Sequence, residues 1–161
     1  MSYGDGLGQN ASLGTSTTSK NTFKVTHVVD GDTIDVSQGE KVYRVRFIGI
    51  NTPESVDPRR PVECYGKEAS SIMKEIALGK EVELVYDMSK PKQDDNGREL
   101  AYVMRTDGVD LGAYMLEVGA AYEYTYKREF YKNQQKYKTI ASEAKEMRKG
   151  LWAENTCNGE K

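Results

Sequence analysis

From residue 22 onward the apolar positions come in short runs of period two, separated by runs of period three and four, the pattern of strands interleaved with helices. Phe23, Val25, His27 and Val29 alternate with Lys24, Thr26 and Val28, which predicts a first strand over 22–29. A second is predicted over 33–37, a turn over 38–40, and a third over 41–50, where Tyr43, Val45 and Phe47 alternate with Val42, Arg44 and Arg46. That alternation turns Arg46 away from the Phe47 face. Pro58 and Pro61 around Arg59 and Arg60 predict a loop, and Ala69, Ile72, Met73 and Ile76 a helix closed by Gly79. A fourth strand over 80–86, a long polar and mobile loop over 87–97, and a fifth strand over 98–104 follow. Asp110 is placed to cap a short helix carrying Leu111, Tyr114, Met115 and Val118, stopped by Gly119. After Tyr122, Tyr124 and Tyr126, a last helix shows Tyr137, Ile140, Ala141, Ala144, Met147 and Leu151 on one stripe, with Trp152 at its foot. No internal repeat appears. The pattern alone supports an α+β fold.

At 161 residues the chain is one domain's worth with room for a core. Its first 22 residues are mostly Gly, Ser, Thr and Asn with few apolar residues, so they are read as a flexible tail or linker without the apolar run of a signal peptide. The domain is expected over 23–154, with a C-terminal tail over 155–161. No window holds eighteen apolar residues, so no membrane-spanning segment is expected. The formal charge is −2, yet between Tyr122 and Gly150 eight cations face four anions. Cys64 and Cys157, the only cysteines, do not have a zinc spacing and leave two possibilities, one disulfide or two free thiols. A bridge would tie the tail to the segment after the Pro53-Glu54 loop.

The chemistry lies between Asp30 and Glu54. Asp30-Gly31-Asp32-Thr33 and Asn51-Thr52-Pro53-Glu54 stand about twenty residues apart across two β-like runs that meet near Gly39-Glu40. A hairpin would therefore bring them together. Asp32, the Asn51 amide oxygen and the Thr52 backbone carbonyl could serve a hard cation such as Ca2+, with Glu54 just beyond it and Arg46 able to take a phosphate by a two-point fork. Metal, base and guanidinium together point to phosphodiester hydrolysis. His27, the only histidine, precedes the motif and is expected to be structural or at the surface.

These motifs, with the later Asn96-Gly97-Arg98-Glu99-Leu100-Ala101-Tyr102, resemble the thermonuclease (staphylococcal nuclease-like) family in order and spacing, over roughly 23–152. Each motif is weak alone; their joint occurrence is specific. The resemblance implies a five-stranded OB-type β-barrel with three α-helices, a known oligonucleotide platform. It implies Asp32, Asn51 and Thr52 at a Ca2+ ion, Glu54 as general base, Arg46 and Arg98 as phosphate arginines, and Tyr124 and Tyr126 lining a nucleotide pocket. Asp30 is expected to support the ligands from behind or to form the turn rather than to bind the ion directly. The activity implied is Ca2+-dependent cleavage of DNA and RNA with little sequence specificity, at the P–O5′ bond, leaving 3′-phosphates. Export to the cell surface or beyond and action as a monomer are also expected.

The chain departs from the family pattern. Asn51 stands where the family has an aspartate, Asn96 replaces a pocket tyrosine, and Asp94 and Asp95 take the place of loop lysines, which predicts weaker metal and single-strand binding. The alternative is a non-catalytic OB-fold module binding nucleic acid or protein, as in the degenerate nuclease-like repeats of Tudor-containing proteins. Those repeats lose the acidic and arginine residues, which Asp32, Glu54, Arg46 and Arg98 here retain.

Overall fold

A computed structural model of the chain describes residues 21–161. The tail expected over 1–22 falls almost wholly outside them. Five strands close a barrel in the order β1 (Thr22–Asp30), β2 (Thr33–Gln38), β3 (Lys41–Phe47), β6 (Glu99–Arg105) and β5 (Glu81–Val85), with β5 returning to β1 through Thr22↔Glu83, Phe23↔Val82 and Lys24↔Glu81. All neighbours are antiparallel except β3 and β6, which run parallel from Val45↔Glu99 to Phe47↔Ala101. A two-residue strand β4 (Ile50–Asn51) pairs outside the barrel with β7 (Tyr122–Glu123). Helices α1 (Gly66–Ala77), α2 (Leu111–Glu117) and α3 (Gln134–Glu146) complete the α+β, OB-type architecture expected.

The barrel closes over β-branched side chains, as a pleated and half-buried surface favours. Ile34, Val36, Val45, Val82 and Val103 are fully buried, each stabilising the fold by roughly 1.5–3 kcal/mol relative to exposure. Ala69 and Met73 of α1 and Leu111, Met115 and Leu116 of α2 are buried in the same core. Asp110 caps α2 by accepting the Ala113 N–H at 3.0 Å, and also takes the Tyr137 hydroxyl at 2.9 Å, joining α2 to α3.

Three sequence expectations change. The alternation of the first strand fails after Val25, because the pairing of β1 with β2 slips between Val25 and His27 and again between Val28 and Asp30. An extra residue in one strand flips every side chain after it, so Val28 is buried and His27 faces solvent, 3.5 Å from Asp35. The third strand ends at Phe47 rather than running to 50. Gly49 turns the chain there at φ +84°, and a Cβ at that position would lie 2.7 Å from both Tyr131 and Tyr137. Met147, expected on the buried stripe of the last helix, is 66% exposed, because α3 ends at Glu146 and Arg148 takes φ +53° before Leu151 is buried.

The cysteines form a disulfide between Cys64 and Cys157. The closing segment is bonded back on the domain, with Gly159 N–H on Leu151 O at 2.8 Å and the Tyr122 hydroxyl on Gly159 O at 3.3 Å. Trp152 packs edge-on against Tyr122, ring centroids 5.4 Å apart.

Candidate active site

The hairpin brings the two acidic motifs together. Asp32 accepts the Thr33 hydroxyl on one oxygen and the Thr52 N–H on the other, both at 2.9 Å. Gly31 allows that approach, since a Cβ there would stand 2.8 Å from the Thr52 methyl. Asp30 caps its own turn through the Gly31 N–H at 3.0 Å and receives the Ser55 hydroxyl at 2.7 Å. Burial raises the Asp30 carboxyl; the Ser55 bond opposes this, and the nearby Asp32 and Glu54 charges add to the rise.

Arg46 leaves β3 toward this turn, as its alternation predicts, and sits opposite Thr33 in the β2–β3 ladder. Its guanidinium is held from behind by the carbonyls of Phe47 (2.8 Å) and Ile50 (2.9 Å), by the Asn51 amide oxygen (3.2 Å), and by Asp32 Oδ2 (3.5 Å). Asn51 thus lies in the pocket with its amide oxygen turned to Arg46. Arg98 enters from the loop before β6; Asp94 accepts both its backbone N–H (2.9 Å) and its Nε (2.7 Å), leaving the two terminal nitrogens open.

Glu54 is fixed by its own loop. One carboxylate oxygen, Oε2, accepts the N–H groups of Ser55 (3.2 Å), Val56 (2.9 Å) and Asp57 (2.8 Å), while Oε1 lies 3.9 Å from Arg60. Glu63 accepts the Glu54 N–H at 2.8 Å, and its own N–H bonds the Glu54 carbonyl at 2.8 Å. Gly66 passes beneath, where a Cβ would collide with that carbonyl at 2.5 Å.

Two hollows meet at Arg46 and Arg98, which line both. The smaller, about 280 Å³, holds Asp30, Asp32, Asn51, Thr52 and Glu54. The larger, about 560 Å³, holds Asn96, Leu100, Tyr124, Tyr126 and Tyr131. The Tyr124 and Tyr126 rings lie 6.2 Å apart and are 38% and 47% exposed, and the Arg46 guanidinium stands 5.7 Å over Tyr124. A basic waist joins an acidic chamber to an aromatic one.

Among the described residues no three acidic, histidine or cysteine side chains gather as a metal-binding group. The donors present in the acidic chamber are all oxygens: Asp30, Asp32, the Asn51 amide, and the buried Thr52 hydroxyl, which has no hydrogen-bond partner. Such a set fits a hard divalent cation that keeps much of its water, and it does not fit a soft metal.

The fold therefore assembles all eight residues singled out in the sequence: Asp32, Arg46, Asn51, Thr52, Glu54 and Arg98 around the acidic chamber, and Tyr124 and Tyr126 across the waist. Three supporting residues were not foreseen. Asp94, counted in the sequence against nucleic-acid binding, has its charge engaged by Arg98. Glu63 and Ser55 hold Glu54 and Asp30 from a loop with no periodicity to mark them. Only Asp94 had a sequence signal, its spacing of four from Arg98.

The family described as staphylococcal nuclease homologue matches residues 44–154. A thermonuclease from Staphylococcus hyicus is 38% identical over 146 residues, covering 88% of this chain and 82% of that protein. A thermonuclease from Staphylococcus intermedius is 40% identical over 122 residues, covering 76% and 68%. An uncharacterized endonuclease of Escherichia coli O157:H7 is 31% identical over 131 residues, covering 81% and 76%.

Proposed function

The chain belongs to the staphylococcal nuclease family and is a nuclease, and from that premise we propose that it is a Ca2+-dependent phosphodiesterase cleaving DNA and RNA with little sequence specificity and leaving 3′-phosphates. The observation that carries this reading is the junction of the two hollows. A phosphodiester at the waist meets Arg46 and Arg98, its nucleoside has Tyr124 and Tyr126 to lie against, and its phosphorus faces Glu54.

Glu54 acts as general base. With Oε2 occupied by three backbone N–H groups, Oε1 takes the proton of a water that attacks phosphorus in line. The P–O5′ bond breaks with its electron pair passing to the 5′-oxygen, which takes a proton from solvent and leaves as a hydroxyl, and the phosphate remains on the 3′ side. Arg46, immobilised by three acceptors, and Arg98, aimed by Asp94, bind the phosphoryl oxygens as their charge grows, with no reorganisation at the moment of reaction. Asp32, with Asn51 and Thr52 as further oxygen donors, would hold a Ca2+ ion, which would supply Lewis-acid neutralisation of the phosphoryl charge. The Tyr124 and Tyr126 rings offer faces on which any base can stack, which favours low sequence specificity.

No helix among the described residues is long and apolar enough to cross a membrane. The disulfide suits an oxidising compartment, so we place the enzyme outside the cytoplasm or at the cell surface, acting as a monomer. The experiment is oligonucleotide cleavage over a calcium titration, with product ends analysed. Cutting that appears with Ca2+, vanishes with chelator and leaves 3′-phosphates is expected. Binding without cleavage in any divalent ion overturns the reading.

A further inference from the structure

The loop that fixes the Glu54 carboxylate is itself held to the domain at few points. It begins with the three N–H donors of Ser55, Val56 and Asp57 and runs to Glu63, whose carboxylate accepts the Glu54 N–H at 2.8 Å. Among the described residues, the hydrogen bonds and ion pairs of residues 55–64 stay within 54–66 with two exceptions. One is the Ser55 hydroxyl on Asp30 at 2.7 Å, and the other the Cys64 sulfur beside Thr156 O at 3.8 Å. Burial adds little, since Val56 and Val62 are both more than half exposed. The remaining tie is the Cys64–Cys157 bridge, and its far end is anchored: the Asn158 N–H meets Ala153 O at 2.9 Å, the Gly159 N–H meets Leu151 O at 2.8 Å, and the Thr156 hydroxyl meets Gly150 O at 2.6 Å.

A segment with few buried contacts and mostly internal bonds opens locally at low cost once its tether is cut. Glu54 depends on that segment, and a general base displaced by about 1 Å loses roughly 10²-fold in rate. Substrate binding does not depend on it: Arg46 is fixed by carbonyls at Phe47 and Ile50, and Arg98 by Asp94, all outside the loop. The bridge is also open to exchange, because Cys64 is exposed while Cys157 is buried. A dithiol attacks the Cys64 sulfur as its thiolate; the S–S bond breaks with its electron pair passing to the Cys157 sulfur. The second thiol then displaces Cys64 from the mixed disulfide, so the dithiol ends as an internal disulfide and its two electrons and two protons reside on the cysteines.

We propose that the Cys64–Cys157 bridge is a redox switch on turnover: oxidised, it holds the loop over 55–64 and with it Glu54, and reduced by a dithiol it frees the loop and leaves the nuclease able to bind but idle. This rests on the reading of Glu54 as the base, and its test separates the two. Single-turnover cleavage with Ca2+, oligonucleotide binding and amide hydrogen exchange are measured before dithiothreitol treatment, after it, and after reoxidation, for the parent and for Cys64→Ser with Cys157→Ser, at a temperature where circular dichroism shows each form folded. On reduction the cleavage rate is expected to fall about ten- to a hundred-fold while oligonucleotide affinity stays within about two-fold. Exchange over 54–64 is expected to quicken while the barrel amides stay protected, and both changes reverse on reoxidation. The paired serine variant is expected to match the reduced parent and to ignore the dithiol. Exchange over 54–64 that reduction leaves unchanged overturns the switch, whether or not the parent cuts. So does full turnover by the reduced protein, and so does protection lost evenly from loop and barrel, which would make the bridge a staple of the whole fold. A parent that cleaves in neither state counts against the active-site reading alone, and the exchange result still decides whether the bridge holds the loop.

Discussion

At the scale of single residues, substitutions at Glu54 and Asn51 are expected to separate turnover from metal demand in the proposed reaction. Glu54→Gln keeps an oxygen for the N–H groups of Ser55, Val56 and Asp57, so the loop should persist while the base is lost. Turnover is expected to fall by about two to four powers of ten with little change in nucleotide or calcium binding; single-turnover cleavage beside equilibrium binding measures both, and a variant that cuts like the parent removes Glu54 from the reaction. Asn51→Asp has a different effect. It adds a negative charge beside Asp32, and the Arg46 bond at 3.2 Å becomes an ion pair. The calcium concentration for half-maximal cleavage is expected to drop, and an unmoved calcium curve would place Asn51 outside the ion's coordination.

At the scale of elements, the loop over 87–97 is the segment whose tethering decides the shape of the aromatic chamber. Asp87 is its anchor: buried, and bonded by the Tyr102 hydroxyl at 2.6 Å, the Lys132 N–H at 2.7 Å, and the Ser89 N–H and hydroxyl at 2.9 and 2.7 Å. Burial alone would raise this carboxyl, but the four donors outweigh it and hold it at about 2. A folded value below the unfolded one, about 3.9, means stability that is complete above pH 4 and lost as pH falls toward 2. Asp87→Asn is therefore expected to cost roughly 2 kcal/mol at neutral pH, with the gap to the parent closing between about pH 4 and pH 2. Urea unfolding across that window reads it; a gap that stays constant would mean the charge contributes nothing.

At the scale of the whole molecule, the disulfide ties together two segments that each support a wall of the site. Cys64 follows Glu63, which braces Glu54, and Cys157 precedes Gly159, which receives Tyr122, the β7 partner of Asn51. The bridge closes a span of 93 residues, so removing it frees a long loop in the unfolded chain. The paired substitution Cys64→Ser with Cys157→Ser is expected to destabilise the domain by about 2–5 kcal/mol, seen as a lower Tm that reductant does not lower further. A variant melting with the oxidised parent would show the bridge to be energetically idle.

The local pattern of the chain was enough for the barrel strands, the three helices, and the meeting of the Asp32 turn with the segment from Asn51 to Glu54. Each of these depends on periodicity, caps and turn residues that act over a few positions, and a hairpin shorter than twenty residues has few ways to close. The bulge that turns His27 out and Val28 in was not legible, because an inserted residue costs nothing in the local pattern and is selected by the neighbouring strand. Nor was the end of β3 at Phe47, which is imposed by Tyr131 and Tyr137 arriving more than eighty residues later against Gly49. The cysteine state remained open for the same reason, since pairing across the chain is a question of distance in space. Asp94 paired with Arg98, Glu63 bonded to Glu54 and Asp87 bonded to the Lys132 N–H belong with these: charge and hydrogen-bond partners in loops are chosen by tertiary geometry, and only the folded chain puts them side by side.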